Sequence, residues 1–353
     1  MIDTAYWEGK AVFITGHTGF KGSWLALWLH RLGARVTGYA LDPPTDPSLF
    51  ESAGIDSVVN GIRNDVRDGA ALLEALQAHR PEVIFHMAAQ SLVADAYADP
   101  AGTYATNVMG TVNLLEAARR IEEVRVIVNV TSDKCYENRA DGRAHTEEDR
   151  VGGADSYSSS KACAELVTGA FRTSYFAGDS DPRLASARAG NVIGGGDWAP
   201  HRLVPDLVRS FCKEVAAPVR NPNHIRPWQH VLDVLNGYLM LAERLAGADG
   251  RSFAEAWNFG PDEDSRVPVS EIADKVAALW GSGAAWHEAE QVLGEENPRL
   301  LLDSAKARRK LDWRPRHNLN GAIELTVAWY LATAKGSDPR ETTLGQIDAH
   351  MKR

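Results

Sequence analysis

The stretch from Thr131 to Lys161 concentrates residue types that move protons. It opens with Thr131-Ser132-Asp133-Lys134 and closes with Tyr157-Ser158-Ser159-Ser160-Lys161. Tyr157 and Lys161 are four residues apart, so on a helix they share one face. A phenol held beside an ammonium group has its pKa lowered and becomes a usable base near neutral pH. The stretch therefore predicts an active site.

The composition indicates a soluble globular protein that does not bind nucleic acid. The chain has 353 residues, 44% hydrophobic and 24% charged, so we expect a large domain and a smaller one. No stretch approaches the run of about 18 apolar residues that a membrane span needs. The net charge of −9 opposes binding to a phosphate backbone, so any bound phosphate belongs to a small molecule.

The cysteines and the N-terminus favour a cytoplasmic protein. Cys135, Cys163 and Cys212 are an odd number without paired spacing, which fits neither a disulfide framework nor a zinc site. Residues 1–10 contain an acid and no apolar signal core, so no export segment is expected. We expect no metal and no membrane partner.

A glycine-rich turn follows the first apolar run, at residues 11–15. The sequence Gly16-His17-Thr18-Gly19-Phe20-Lys21-Gly22 leads into a helical pattern that Gly33 ends. In this context Gly16 permits a tight turn, Gly19 lets backbone N–H groups approach a pyrophosphate, and Gly22 allows the helix to pack on the strand. The alternative is a glycine-rich turn without a ligand.

Lys21 places a cation in the first turn of this helix, where it opposes the macrodipole unless an anion lies nearby. We expect His17 and Lys21 to contact the pyrophosphate of a dinucleotide. A solvated lysine that tolerates its position remains an equal alternative.

Two acids after later strands are expected to bind the adenosine half. Asp42 follows the second strand, at residues 35–40, where nicotinamide enzymes place an acid for the ribose hydroxyls. No Arg or Lys lies between Asp42 and Glu51, which favours NAD over NADP, although Asp42 could be a turn residue before Pro43. Asp65 follows the third strand and could accept from the adenine amino group.

The order of elements predicts an α/β fold, a Rossmann-type doubly wound parallel sheet with a smaller C-terminal α/β substrate domain. Thr131 ends the fifth strand, and open α/β sheets bind ligands at that edge. We assign residues 1–188 and 226–256 to the NAD-binding domain and residues 189–225 and 257–340 to the substrate domain. Residues 257–260 then form a strand of the smaller domain, and residues 341–353 a loosely held tail.

The chain resembles the extended short-chain dehydrogenase/reductase family, also called the NAD-dependent epimerase/dehydratase family. The resemblance covers nearly the whole chain and is carried by the loop of Gly16 to Gly22 with Phe20, by Asp65 with Val66, by Ala88 with Ala89, by Asn107, and by Tyr157 with Lys161. It implies a bound NAD that contacts these residues, and a homodimer formed through the helices at 104–120 and 157–176.

Within the family, four longer runs resemble the nucleotide-sugar 4,6-dehydratases. These are residues 16–24, 129–138, 190–198 and 225–230. The likeness implies conversion of CDP-glucose to CDP-4-keto-6-deoxyglucose. Tyr157 would take the 4-hydroxyl proton, Lys161 would lower the Tyr157 pKa, and Ser132 would hydrogen-bond the developing carbonyl.

Asp133 and Lys134 are expected to serve the loss of water, as acid and base respectively. The alternatives are a turn cap for Asp133 and a solvated surface lysine for Lys134. An epimerase of the same fold, or a dehydratase for another nucleotide hexose, would use the same redox pair, and a non-catalytic NAD-binding regulator is the alternative of another class.

The second half supplies the expected substrate contacts. Besides Gln90 at the end of the fourth strand, these are donors and cations suited to a diphosphate: Asn191, Arg202, Arg220, Arg226 and His230. Arg226 is the main candidate, whereas Arg202 and Arg220 could equally be surface ion-pair partners.

Overall fold

The structure is a computed structural model that describes residues 2–139, 141–281, 283–290 and 299–352. Its strands are β1 (Ala11–Thr15), β2 (Arg35–Ala40), β3 (Asn60–Arg63), β4 (Val83–His86), β5 (Val126–Val130), β6 (Arg183–Ala189), β7 (Asn191–Ile193), β8 (Ala217–Val219), β9 (Ile225–His230), β10 (Ala256–Phe259), β11 (Arg266–Pro268) and β12 (Trp286–Glu288).

The α-helices flank these strands. They are α1 (Thr4–Trp7), α2 (Phe20–Arg31), α3 (Leu49–Ser52), α4 (Gly69–His79), α5 (Val93–Ala98), α6 (Pro100–Tyr104), α7 (Gly110–Ala118), α8 (Ser156–Ser174), α9 (Leu203–Cys212), α10 (Val231–Ala246), α11 (Val269–Trp280), α12 (Leu319–Ala334) and α13 (Pro339–Met351). Among the described helices, no candidate combines the length and the apolar character needed to cross a bilayer.

The main sheet has seven parallel strands in the order β10-β6-β5-β4-β1-β2-β3. Successive side chains of a strand point to opposite faces, and β1 shows this directly. Val12 and Ile14 belong to one hydrophobic core and Phe13 to the other. Helices therefore cover both faces, and the predicted Rossmann-type sheet is confirmed.

Two small sheets lie beside this one. β7, β9 and β11 form a three-stranded sheet, and β8 pairs with β12. The expectation that residues 257–260 form a strand of the smaller domain is wrong, because β10 pairs in parallel with β6 at the edge of the main sheet. The remaining division into two domains stays a prediction.

The expected loose tail is instead the helix α13. Asp338 caps it and Pro339 occupies its first turn, which is a common helix start. Thr343, Ile347 and His350 are buried on one face. These apolar and packing contacts hold the segment against the large domain, which the polar composition of the tail concealed.

Candidate active site

The glycine-rich turn has the shape that a dinucleotide requires. Gly16 has φ +77°, and a Cβ there would lie 2.7 Å from the Ala88 nitrogen. A Cβ on Gly22 would collide with the Gly16 carbonyl oxygen, so this glycine lets α2 begin directly against the turn. Gly19 differs, because its nearest neighbour would be 3.5 Å from an added Cβ. The open backbone at the N-terminus of α2 thus fits a pyrophosphate.

Lys21 lines the cleft beyond this turn, as does Phe20. Burial, together with the neighbouring cations Lys161 and Arg202, lowers the pKa of Lys21 to about 7. An anion bound at the turn would restore the charge on Lys21. The expected pyrophosphate contact of Lys21 stays a prediction that this environment supports.

His17 lies on the other side of the turn. Its ring is fully buried against Phe50 and Gly38, and its Nε2 is 3.2 Å from Arg63 Nη1. Burial lowers the pKa of His17 to about 4, with Arg63 adding to the effect. The neutral imidazole therefore faces β2, whereas the sequence led us to expect it at the pyrophosphate.

Arg63 lies beside Asp42, the acid expected to bind the adenosine ribose. The parallel register of β2 and β3 places Ala40 beside Arg63, whose Nε is 3.4 Å from Asp42 Oδ1. A cation therefore does lie next to Asp42, although none occurs between residues 42 and 51. Sequence spacing missed it because the contact depends on strand pairing.

Asp65 and Val66 follow β3 as expected. The Asp65 carboxylate is bound by Arg67, whose hydrogen bonds lower its pKa, and Val66 packs over Gly110. The expected adenine contact of Asp65 stays a prediction.

Asn107 positions the segment that follows β4. It lies in a π-helical turn at Ala105–Met109, a deviation that often marks functional sites. Its side chain accepts from the Gln90 nitrogen at 2.9 Å and donates to the Gln90 carbonyl at 3.0 Å and to Ser160 Oγ at 2.9 Å. Asn107 thereby joins the Ala88-Ala89-Gln90 segment to α8, and Ala89 lines the cleft.

Tyr157 and Ser132 meet at the carboxyl edge of β5. Both residues line the cleft, and their side chains share a hydrogen bond that lowers the Tyr157 pKa. Burial is the larger influence and raises the pKa of Tyr157 to about 12. The expected lowering by Lys161 is therefore not found: in this arrangement Ser132 and Arg202 are the groups that favour the phenolate.

Asp133 presents a carboxyl oxygen that no described residue hydrogen-bonds. Ser132 Oγ donates to Asp133 Oδ1 at 3.0 Å, while Asp133 Oδ2 is buried and faces Gly190, where a Cβ would lie 2.9 Å from it. Burial raises the pKa of Asp133, against the opposing charges of Lys134 and Arg226. A carboxyl group held toward its protonated form suits a general acid. Lys134 is half-buried and also lines the cleft.

A buried ion pair lies behind these residues. Glu165 follows Lys161 by one helical turn, accepts from Thr131 Oγ1 and from Ser186 Oγ at 2.7 Å, and pairs with Arg188 at 2.6 Å. Burial lowers the pKa of Lys161 to about 8, and Glu165 opposes that effect. The sequence argument missed Glu165, although its spacing from Tyr157 and Lys161 puts all three on one face.

The ion pair continues into a chain of contacts. Arg188 Nη1 donates to the Tyr136 hydroxyl at 2.7 Å, and this hydroxyl donates to Asn258 Oδ1 at 2.7 Å. The chain links the strand exit at Thr131 to β10 at the edge of the sheet.

Most of the expected substrate contacts line the same cleft. Asn191, Arg202, Arg220 and Arg226 are all among its lining residues. Arg202 pairs with Asp197 at 3.1 Å and donates to Ser91 Oγ at 3.1 Å. It therefore connects the segment that precedes α9 to the segment that follows β4. Arg226 is close enough to Asp133 to lower its pKa.

Two expected contacts differ. His230 is fully buried, and its Nδ1 accepts from the Leu232 nitrogen, so it caps α10. It is not among the described residues that line the cleft, and its expected substrate contact stays a prediction. Gln90 stands in the sequence between two residues that line the cleft, Ala89 and Ser91. Its Nε2 donates to the Leu92 carbonyl at 2.7 Å, and its contact with substrate stays a prediction.

The fold and this site together define an extended short-chain dehydrogenase/reductase: a parallel sheet, a glycine-rich first turn, and a Tyr-Lys pair beside a Ser at the sheet edge. The chain matches the model of the family described as GDP-mannose 4,6 dehydratase over residues 13–326, and it belongs to that family.

Individual relatives agree with this placement. The chain is 48% identical over 359 residues to the CDP-glucose 4,6-dehydratase of Salmonella typhimurium, covering 99% of each protein. It is 27% identical over 342 residues to a dTDP-glucose 4,6-dehydratase of Xanthomonas campestris, covering 90% of this chain and 92% of the relative.

Solved structures show the same fold. The dTDP-glucose 4,6-dehydratase DesIV of Streptomyces venezuelae, with NAD and TYD bound, superposes with a TM-score of 0.77 at 24% identity, covering 93% of this chain and 99% of DesIV. The UDP-glucose 4-epimerase of Thermotoga maritima superposes with a TM-score of 0.76 at 21% identity, covering 92% and 99%.

Proposed function

We propose that this chain converts CDP-glucose to CDP-4-keto-6-deoxyglucose and water, with NAD oxidised and reduced within one turnover. The observation that carries the proposal is Asp133, a cleft-lining acid beside Tyr157 and Ser132 whose buried Oδ2 no described residue hydrogen-bonds and whose pKa burial raises. A 4-epimerase needs the redox pair but has no hydroxyl to expel. The full-length identity to a CDP-glucose 4,6-dehydratase supports the same substrate here.

Oxidation at C4 is the task of the residues at the β5 edge. NAD, held by the glycine-rich turn, supplies the acceptor for the hydride from C4. Tyr157 takes the proton of the 4-hydroxyl, and Ser132 turns its hydroxyl proton from Asp133 to the carbonyl oxygen that forms. Arg202 and the Ser132 hydrogen bond favour the phenolate, and Lys161 lies one turn further along the same face of α8. The resulting ketone acidifies the proton on C5.

Loss of water is the task of Asp133 and Lys134. Lys134 removes the C5 proton while Asp133 protonates the 6-hydroxyl, which leaves as water and creates a C5–C6 double bond. Hydride then returns to C6 and a proton to C5, so the product has lost one water and the cofactor is unchanged. The raised pKa of Asp133 favours the protonated form that this step needs.

The direct test is a panel of nucleotide hexoses. Incubation with CDP-glucose should release a 4-keto-6-deoxy product, identified by mass spectrometry and NMR, without net NADH formation. UDP-glucose, dTDP-glucose and GDP-mannose are the matched controls. Recovery of CDP-galactose alone would establish epimerisation, and no reaction with any hexose would overturn the proposed activity.

We also propose a cytoplasmic homodimer. The described cysteines are all free, which suits a reducing compartment. Met109 and Leu166, on the neighbouring π turn and α8, are 51% and 62% exposed, and Tyr104 beside them is 38% exposed. Such a set of large apolar side chains on adjacent helices favours a self-complementary contact between two copies.

Replacing Leu166 with arginine is expected to convert the dimer to monomers, because two charges would be buried near the symmetry axis. Sedimentation velocity at several concentrations measures the change. Leu279→Arg on α11, where the leucine is 43% exposed, is the control and should sediment like the unmodified chain. A Leu166→Arg variant that stays dimeric would place the interface elsewhere.

A further inference from the structure

The far end of the cleft, as we define it, is the part of its lining that lies outside the main sheet. It is formed by the first turn of α9 and the end of β8 and lined by Leu203, Val204, Pro205, Asp206, Pro218, Val219 and Arg220. A nucleotide sugar is linear, with hexose, diphosphate, ribose and base in that order. If the hexose reacts beside Tyr157 and Asp133, the base occupies this far end.

The far end combines apolar walls with one charged pair. Asp206 Oδ2 lies 3.7 Å from Arg220 Nη2, and both side chains line the cleft at 27% and 29% exposure. The described lining contains three other acids. Asp133 belongs to the reaction centre, Asp155 precedes α8, and Asp197 pairs with Arg202. Asp206 is therefore the acid available to a base.

Asp206 and Arg220 together present a hydrogen-bond acceptor, the carboxylate, next to hydrogen-bond donors, the guanidinium N–H groups. Cytosine presents the complementary edge, an amino group at N4 beside an acceptor at N3, and acidic side chains are known partners of that amino group. Uracil and thymine carry a carbonyl at position 4, which would face the Asp206 carboxylate without a proton between them.

We propose that Asp206 and Arg220 select cytosine, with Asp206 accepting from N4 and Arg220 donating to N3 and O2. This inference rests on the proposed function, because it takes the hexose to react at the β5 edge. Of these two side chains, the sequence indicated only Arg220, as a possible diphosphate contact.

Arg209 provides a matched control. It pairs with Asp206 from the other side and donates to the Trp198 carbonyl at 2.6 Å, but it is not among the described residues that line the cleft. Its replacement by lysine keeps a positive charge beside Asp206 and presents nothing new to the base.

The experiment measures the dissociation constants of CDP and UDP by calorimetry on the full chain. The unmodified chain should bind CDP about 5- to 150-fold more tightly than UDP. We define the ratio as the dissociation constant of UDP divided by that of CDP. Asp206→Asn exchanges a carboxylate oxygen for a donor, so this ratio should fall about 5- to 150-fold, to near one, and Arg220→Gln should also reduce it. Arg209→Lys keeps the charge beside Asp206 and should leave the ratio nearly unchanged.

The outcomes separate the two proposals. An unchanged ratio in both Asp206→Asn and Arg220→Gln, or no preference for CDP in the unmodified chain, would overturn base selection by this pair. Turnover is measured separately: dehydration of several nucleotide hexoses at equal rates contradicts base selection only. A chain that prefers CDP but dehydrates no hexose contradicts the proposed reaction only.

Discussion

Tyr157→Phe is expected to lower the turnover of CDP-glucose about 10²- to 10⁴-fold, because the substrate proton loses its acceptor. The ring is retained, so CDP binding should change little. Steady-state rates and CDP titration measure the two effects. Tyr104→Phe is the matched control, since that hydroxyl bonds Ser159 on the surface of α8 and should be dispensable for turnover.

The same phenol sets an expected pH dependence. Burial raises the Tyr157 pKa to about 12 and the Ser132 hydrogen bond opposes this rise. Below that pKa the phenolate fraction grows with pH, so turnover should rise toward alkaline pH. Ser132→Ala removes the opposing bond and should move the rise to higher pH. A full rate for Tyr157→Phe, or an unshifted profile for Ser132→Ala, would contradict these roles.

Lys134→Ala is expected to separate oxidation from elimination. Without a base at C5 the variant should still oxidise C4, so quenched single-turnover reactions should contain CDP-4-ketoglucose but no 6-deoxy product. General acid–base groups contribute about 10²- to 10⁴-fold, and the rate of water loss should fall by that range. Mass spectrometry of the quenched sugar nucleotide distinguishes the two products.

One further variant should show the same block, and another serves as the control. Asp133→Asn should stop at the same stage, because the 6-hydroxyl then lacks its acid. Lys213→Ala removes an exposed lysine at the end of α9 and should dehydrate normally. Complete dehydration by Lys134→Ala would remove Lys134 from the reaction, and loss of C4 oxidation would reassign it to the redox step.

Local patterns in the sequence were sufficient to predict much of the site. The glycine spacing at residues 16–22 and the Tyr157-Lys161 spacing each lie within one turn or helix, so their geometry follows from local structure. The buried run of β5 likewise places Thr131 at the sheet edge. These elements appear in the structure as expected.

Features that depend on contacts between residues distant in the sequence could not be predicted from local patterns. Arg63 reaches Asp42 only because β2 and β3 pair in register. His230 follows the Ile225-Arg226-Pro227-Trp228-Gln229 run, yet its side chain turns inward to cap α10. The Tyr157 pKa also depends on burial, which a residue pair in a sequence does not reveal.

Some signals were present but passed over. Thr343, Ile347 and His350 recur at helical spacing after an Asp-Pro start, which is sufficient to predict α13. Trp257 and Phe259 alternate with Asn258, which is sufficient to predict a strand. The local pattern does not show that this strand, β10, pairs with β6 in the main sheet. Element type was local information, whereas sheet membership was not.

The pairing of Glu165 with Arg188 also limits how this chain can diverge. Both side chains are at most 5% exposed, and removing one partner of such a pair strands a buried charge at a cost of about 3–5 kcal/mol. Single substitutions at either position are thus filtered out, while a joint exchange for two neutral residues is tolerated more easily. Among descendants of a common ancestor, positions 165 and 188 should consequently covary, and with them the threonine at the end of β5.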